Sequence, residues 1–252
     1  MSLTGKVFLI TGATKGIGAA VTRLVISQGA SVVLSYQSDK SGAESFVSSL
    51  ELPEDSRRKR VLAIQADASS LPDIDRLVTA AVTQFGHIDV VMPNAGTMSM
   101  LDLEHVTPES YDTHFNLNTK GPLFLVQKSV PYMPPGSRVI FVSTGVTSLS
   151  SVMPGYLLYA ATKAAVEQFT RVLSKDLGRK GISVNCVAPG PCGTELFYRG
   201  KTQEVLDMIS NQSPFRRVGT PEEVAGVVAF LAVKESSWVS GQVIGVNGAN
   251  MV

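Results

Sequence analysis

Apolar residues in this chain fall into two alternating patterns. Short, largely apolar runs at residues 7–10, 31–36, 61–66, 88–92, 139–142, 182–187 and 243–246 predict strands. Between them, apolar positions recur every three or four residues and predict helices over about 19–28, 41–50, 72–85, 108–130, 157–179 and 222–233. The punctuation agrees with this division. Gly29 and Gly181 stop two helices, Pro72, Pro108 and Pro221 open three others, and Ser41-Gly-Ala-Glu44 reads as a capping box. A strand buried on one face alternates apolar and polar residues, whereas most of these runs are continuously apolar, which predicts cover on both faces. Strand–helix alternation of this kind predicts a doubly wound α/β architecture, with a mostly parallel seven-stranded sheet, right-handed crossovers and helices on both sides. No Gly/Ser/Pro-rich linker divides the chain, which predicts a single domain over 1–252. The segment from about 194 to 214 is less regular and reads as an insertion or lid.

The turn after the first strand is the strongest local signal. Thr11-Gly-Ala-Thr-Lys-Gly-Ile-Gly18 joins an apolar strand to a helix, the context a Rossmann-type phosphate-binding turn requires. Gly12 lets the chain reverse, Gly16 leaves room for a pyrophosphate, and Gly18 lets the helix approach the sheet. Exposed N–H groups and the positive end of the helix dipole then face an anion. The spacing departs from G-x-G-x-x-G, so the turn needs support from elsewhere. Other polar or glycine-bearing groups also fall at strand C-terminal ends: Asp67, Asn94-Ala95-Gly96, Ser143-Thr144, and the segment from Pro189 to Thr194. Ligands of open α/β sheets bind at that edge.

Composition narrows the function classes. The 252 residues are 44% hydrophobic and 17% charged, with a formal net charge of +1, which offers no general field for nucleic acid or an anionic membrane. The basic run Arg57-Arg58-Lys59-Arg60 stands alone and reads as a solvated loop. Cys186 and Cys192 form no disulfide framework, no apolar run is long enough to span a bilayer, and the first strand begins too early for a signal peptide. A cytoplasmic protein is expected. No metal site is read.

Tyr159-Ala-Ala-Thr-Lys163 puts a phenol and an ammonium on one face of the helix after the fifth strand. An adjacent cation favours phenolate, which predicts a tyrosine pKa lowered from about 10 toward neutrality and a group able to exchange a proton with a carbonyl or alcohol oxygen. With these residues in place the chain closely resembles the short-chain dehydrogenase/reductases, especially NADP-dependent members similar to 3-oxoacyl-carrier-protein reductases and fungal naphthol reductases. Thr11-Gly12-x-x-x-Gly16-x-Gly18, Asn94-Ala95-Gly96, Asn118-Thr-Lys-Gly121, Tyr159-x-x-x-Lys163 and Pro189-Gly190-x-x-x-Thr194 occur in the family's order. Gly241-Gln-Val-Ile244 and Asn247-Gly248 also fit, with Ala249 where a second glycine is usual.

The resemblance implies that Tyr159 is the general acid and that Lys163 lowers its pKa and holds the nicotinamide ribose. It implies that Asn118 anchors a water linking Lys163 to solvent, and that Asp67 and Ala68 bind the adenine. Asn94 would pack near the adenine ribose, and Thr194 would contact the pyrophosphate or carboxamide. The cofactor set it implies is Gly12, Thr14, Lys15, Gly16, Ile17, Gly18, Tyr36, Ser38, Asp67, Ala68, Asn94, Ala95, Gly96, Tyr159, Lys163, Pro189, Gly190 and Thr194. Matching the fifth strand puts Thr144 rather than Ser143 at the family's catalytic serine, although either hydroxyl could serve. Asp67 as a helix N-cap and Asn118 as a polar group steadying a kink are the plainer alternatives.

The second strand ends Ser35-Tyr36-Gln37-Ser38 without a carboxylate, and Lys15 precedes Gly16, which together predict NADP(H) over NAD(H). Asp39 is expected at the start of the next loop or helix. Met98, Met100, Met153, Tyr156, Phe197 and Tyr198 would line an apolar pocket for a hydrophobic ketone or quinone-like substrate. The resemblance further implies a homotetramer, or a homodimer, built on the helices around Asn118 and Tyr159. The overall expectation is a reductase of carbonyls. The alternative is a non-catalytic NADP(H) sensor on the same fold.

Overall fold

The computed structural model describes residues 2–251. Strands β1 (Val7–Ile10), β2 (Ser31–Tyr36), β3 (Val61–Gln65), β4 (Val90–Met92), β5 (Arg138–Val142), β6 (Ser183–Pro189) and β7 (Val243–Val246) form, among the described residues, one seven-stranded sheet. Its order is β3-β2-β1-β4-β5-β6-β7 and each neighbouring pair is parallel. The order reverses between β1 and β4, so a crevice opens where their C-terminal ends part. The helices are α1 (Gly16–Ser27), α2 (Lys40–Ser48), α3 (Glu54–Arg60), α4 (Leu71–Phe85), α5 (Pro108–Phe115), α6 (Gly121–Ser129), α7 (Leu157–Gly178), α8 (Glu195–Tyr198), α9 (Gln203–Gln212) and α10 (Pro221–Ala232). Among the described residues no helix is long and apolar enough to cross a membrane.

The apolar runs are continuous because alternate residues enter different cores. Phe8 and Ile10 of β1 join Val32 and Leu34 of β2 beneath α1 and α10, while Leu9 and Val33 face α4, α6 and α7. Phe8, Leu9, Ile10, Val33 and Phe141 are fully buried. Each such side chain contributes on the order of 1.5–3 kcal/mol relative to exposure. One register step in any strand would exchange the two cores.

Three local expectations are corrected. Asp39, not Ser41, caps α2: its carboxylate accepts from Gly42 N–H at 2.9 Å, so the helix starts two residues before the capping-box reading. The basic run is helix α3 rather than a loop. Arg57 donates to the Leu50 and Leu52 carbonyls, and Arg60 donates to those of Ile26 and Ala30, so these cations close the ends of preceding elements. Within 194–214, Thr202 caps a regular helix α9 by accepting from Val205 N–H. Its residues are polar enough to leave none buried, which weakens the periodic signal.

Candidate active site

The glycine turn is built by hydrogen bonds from β4. The Thr11 hydroxyl accepts from Asn94 N–H and Ala95 N–H, both at 3.1 Å, and Asn94 Nδ2 donates to the Thr11 and Gly12 carbonyls at 3.0 and 2.9 Å. The Asn94 amide therefore fixes the turn. Gly12 (φ 60°) and Gly16 (φ 52°) occupy the left-handed region, which glycine alone adopts at no steric cost. A Cβ on Gly18 would collide with the Gly12 carbonyl, and one on Gly16 would lie 3.0 Å from the Thr194 methyl. Lys15 is the N-cap of α1 and makes no side-chain cap bond, so the first N–H groups of that helix are open to an anion.

Around the turn stand the other expected groups. Asp67 is not a helix cap, since Ser70 caps α4; Asp67 Oδ1 accepts from Ser69 N–H and Oγ at 2.9 and 2.7 Å, leaving Oδ2 with no donor among the described residues. Ala68 packs its carbonyl against Gly121, where any Cβ would collide. Gly190 lies against Asn247, and its N–H donates to Val246 O at 3.0 Å. Thr194 caps α8 through Phe197 N–H at 3.2 Å. Lys15 Nζ lies 3.2 Å from Asp39 Oδ2 and 3.9 Å from Glu195 Oε2, so one exposed ammonium joins the turn, the end of β2 and the start of α8. The Gly42 N–H and, next, the Lys15 ammonium hold the Asp39 carboxyl below its usual range.

At the far end of the crevice Tyr159 and Lys163 project from the first two turns of α7. Lys163 is 6% exposed; Nζ donates to the Val142 carbonyl at 2.8 Å and stands 5.9 Å from the Tyr159 ring centroid. Burial lowers its pKa from 10.5 to about 8. The Tyr159 phenol is pushed up, not down, because desolvation outweighs the hydrogen bond from Thr144. This corrects the expected direction: the ammonium is turned to the end of β5 and does not rest on the phenol oxygen. Asn118, fully buried, lies on a π-helical turn, Asn116–Lys120, between α5 and α6. It exchanges two bonds with the Thr97 backbone, both 2.9 Å, and donates to the Thr162 hydroxyl at 3.1 Å. Extra backbone in such a turn is common at functional sites.

The two hydroxyls at the end of β5 have different surroundings. Ser143 Oγ donates to Glu167 Oε1 at 2.7 Å, whereas Thr144 adjoins the phenol and accepts from Val146 N–H at 3.3 Å. Thr97, Thr162 and Glu167 were absent from the sequence expectation. Glu167 could have been found by its spacing, one turn beyond Lys163 on the same helix face.

Of the expected pocket wall, Met98, Tyr156 and Phe197 are partly buried, while Met100, Met153 and Tyr198 are about half exposed. Met100 lies over Gly155, and Leu101 N–H donates to the Gly155 carbonyl at 2.9 Å, so the segments bearing Met98 and Tyr156 adjoin. The Tyr156 ring is 6.4 Å from that of Tyr159. Phe197 packs edge-on against Tyr198 at 5.3 Å, with the Lys201 ammonium 4.7 Å from its ring.

This donor set fits a dinucleotide. Space is kept at Gly12, Gly16 and Gly18, a helix N-terminus is open, and among the described residues the Lys163 ammonium has a single acceptor for its three protons. Comparison with known proteins agrees. The family model described as enoyl-(acyl carrier protein) reductase matches residues 12–249. The hydroxynaphthalene reductase-like protein Arp2 of Metarhizium robertsii is 38% identical over 262 residues, covering 99% of this chain and 96% of that protein. Versicolorin reductase stcU of Emericella nidulans is 37% identical over 257 residues, covering 98% and 96%. A short-chain dehydrogenase from Burkholderia cenocepacia J2315, solved in complex with NADP, superposes with a TM-score of 0.92 at 27% identity over the whole of both chains. With its sheet order, glycine turn and near-complete coverage by such relatives, the chain belongs to the short-chain dehydrogenase/reductase family of oxidoreductases.

Proposed function

We propose that this protein is an NADP(H)-dependent reductase of hydrophobic ketones, working also in reverse on the alcohol, with Tyr159 as the general acid and base. The observation that carries the reading is the convergence of Tyr159, Thr144 and Lys163 at one end of a crevice whose other end is the glycine turn. When bound, the nicotinamide supplies the hydride for reduction or accepts it for oxidation. Gly12, Gly16 and the α1 N-terminus would hold its pyrophosphate, Asp67 and Ala68 its adenine, and Lys163 its ribose. Thr14, Ile17, Tyr36, Ala95, Gly96, Pro189 and Thr194 would contribute further contacts to the dinucleotide.

Tyr159 keeps its proton at neutral pH, because burial raises its pKa, and so is charged with a proton for a carbonyl oxygen as negative charge develops there. Thr144 donates a second hydrogen bond to that oxygen. Its own oxygen accepts from Val146 N–H, and its one proton, which the phenol oxygen takes in this structure, would turn to the carbonyl oxygen when substrate binds. Lys163 holds positive charge nearby, and a water anchored by Asn118, itself bonded to the Thr97 carbonyl and the Thr162 hydroxyl, would link it to solvent. Proton resupply would follow that polar path. Assembly into a homotetramer through the helices bearing Asn118 and Tyr159 is part of the same reading, and light scattering measures it.

Replacing Tyr159 tests the proposal. Tyr159→Phe is expected to retain NADPH binding, read by fluorescence titration, and to lose turnover by at least about 10³-fold, within the range for removing a positioned proton donor. Turnover within a few-fold of the parent overturns the mechanism.

A further inference from the structure

We infer that Glu167 is a positioning residue for the Thr144 hydroxyl, an inference that rests on the reading of Thr144 as a substrate hydrogen-bond donor. Glu167 is a carboxylate only 9% exposed, on α7, one helical turn beyond Lys163. Its Oε1 accepts from Ser143 Oγ at 2.7 Å and from Thr147 Oγ1 at 2.5 Å. These two hydroxyls flank Thr144 in sequence, one at the end of the β5 ladder and one in the 3-10 turn Gly145–Ser148. Ser143 is already fixed by its N–H to the Val187 carbonyl at 2.8 Å, so the carboxylate ties the start of the loop after β5 to a sheet and a helix at once.

The consequence falls on Thr144. Residues 143 and 144 leave an extended strand, so their side chains point to opposite sides. Holding Ser143 toward Glu167 commits Thr144 to the side of the phenol. Thr147 is drawn by the same carboxylate oxygen while its N–H and hydroxyl oxygen also approach the Thr144 carbonyl, at 3.4 and 2.8 Å, which limits rotation of the peptide after Thr144. A charged acceptor binds two hydroxyls more strongly than a neutral one. Arg171 Nη2, 3.8 Å from Oε2, offsets part of its charge, which would otherwise oppose a developing oxyanion. A donor aimed at a transition state must be held within a fraction of an ångström, and that is what this bracket provides.

The test is a double-mutant comparison using steady-state turnover and NADPH affinity. Glu167→Ala is expected to lower kcat roughly 10-fold or more with NADPH affinity within about twofold, and Glu167→Gln, which keeps an Oε1 acceptor, to recover kcat to within about threefold of the parent. In a Thr144→Val background, itself roughly 10²-fold slower, Glu167→Ala is expected to cost less than about twofold, since the hydroxyl it positions is gone. An equal cost in both backgrounds overturns the inference and leaves Glu167 as packing. Should Glu167→Ala fail to fold, the Ser143→Ala/Thr147→Val pair removes the same bonds from the other side and is read against Thr144→Val in the same way. Parent-like turnover of Thr144→Val overturns both the donor reading and this inference, whereas a slow Thr144→Val with uncoupled Glu167→Ala overturns the positioning role alone.

Discussion

Lys163 shows how one residue sets function against stability. Its ammonium is buried with one carbonyl acceptor, and that desolvation lowers the pKa from 10.5 to about 8. Below pH 8 both folded and unfolded states carry the proton, and the folded state bears the whole burial cost. Between about 8 and 10.5 the unfolded state binds more protons, so the contribution of this residue to stability rises with pH. Lys163→Met keeps the stem and removes the charge. It should abolish turnover yet raise the melting temperature at pH 7 by roughly 3 °C or more, a gain that shrinks at pH 9.5. Calorimetry at the two pH values checks this, and a melting temperature below that of the parent at pH 7 contradicts it. The Tyr-Lys spacing was legible as chemistry in the sequence. The sign of the tyrosine shift was not, because burial and the direction of the Lys163 head group depend on where β5 ends.

At the scale of elements, the turn after β7 carries a departure visible in the sequence. Ala249 stands where the family usually has a second glycine, and its φ is 56°, in the left-handed region. Its N–H donates to Asn247 Oδ1 at 3.1 Å, which holds the strained conformation. A left-handed alanine costs roughly 1–2 kcal/mol, part of which glycine returns through its freer unfolded chain. Ala249→Gly should therefore stabilise the protein by about 0.5–1 kcal/mol, seen as a higher urea midpoint at unchanged slope. An unchanged or lower midpoint would mean that the turn is relaxed. Helices whose caps and apolar spacing agreed, α4 and α10, were legible almost to the residue. Helices α3 and α9 were not, since a run of four cations and an exposed helix both lack the buried stripe that periodicity detects.

For the whole molecule, the contact among Lys15, Asp39 and Glu195 joins three distant parts of the chain at the proposed adenine-ribose end. Lys15→Ala should raise the Michaelis constant for NADPH roughly tenfold, the scale of one charge-assisted hydrogen bond, and leave that for NADH nearly unchanged. Asp39→Asn keeps the α2 cap while releasing Lys15, and should increase the preference for NADPH. Added salt should weaken the parent's preference, because the groups are exposed. If the parent uses NADH more efficiently, Asp39 rather than Lys15 governs the ribose site.

The sequence by itself determined the sheet and its strands, because largely apolar runs between amphipathic helices have one economical burial: a parallel sheet covered on both faces. It also determined the glycine turn, since a residue without a Cβ takes the backbone angles at Gly12 and Gly16 without strain and allows the close approach at Gly18. Tertiary structure decided what each polar side chain faces. Asn94, expected near the adenine ribose, has its amide spent on the glycine turn, Ser143 is spent on Glu167, and Asp39 on a helix cap and Lys15. These choices depend on directions of side chains from elements far apart in sequence, and no local pattern encodes which of two neighbouring hydroxyls finds a carboxylate and which is left beside the phenol.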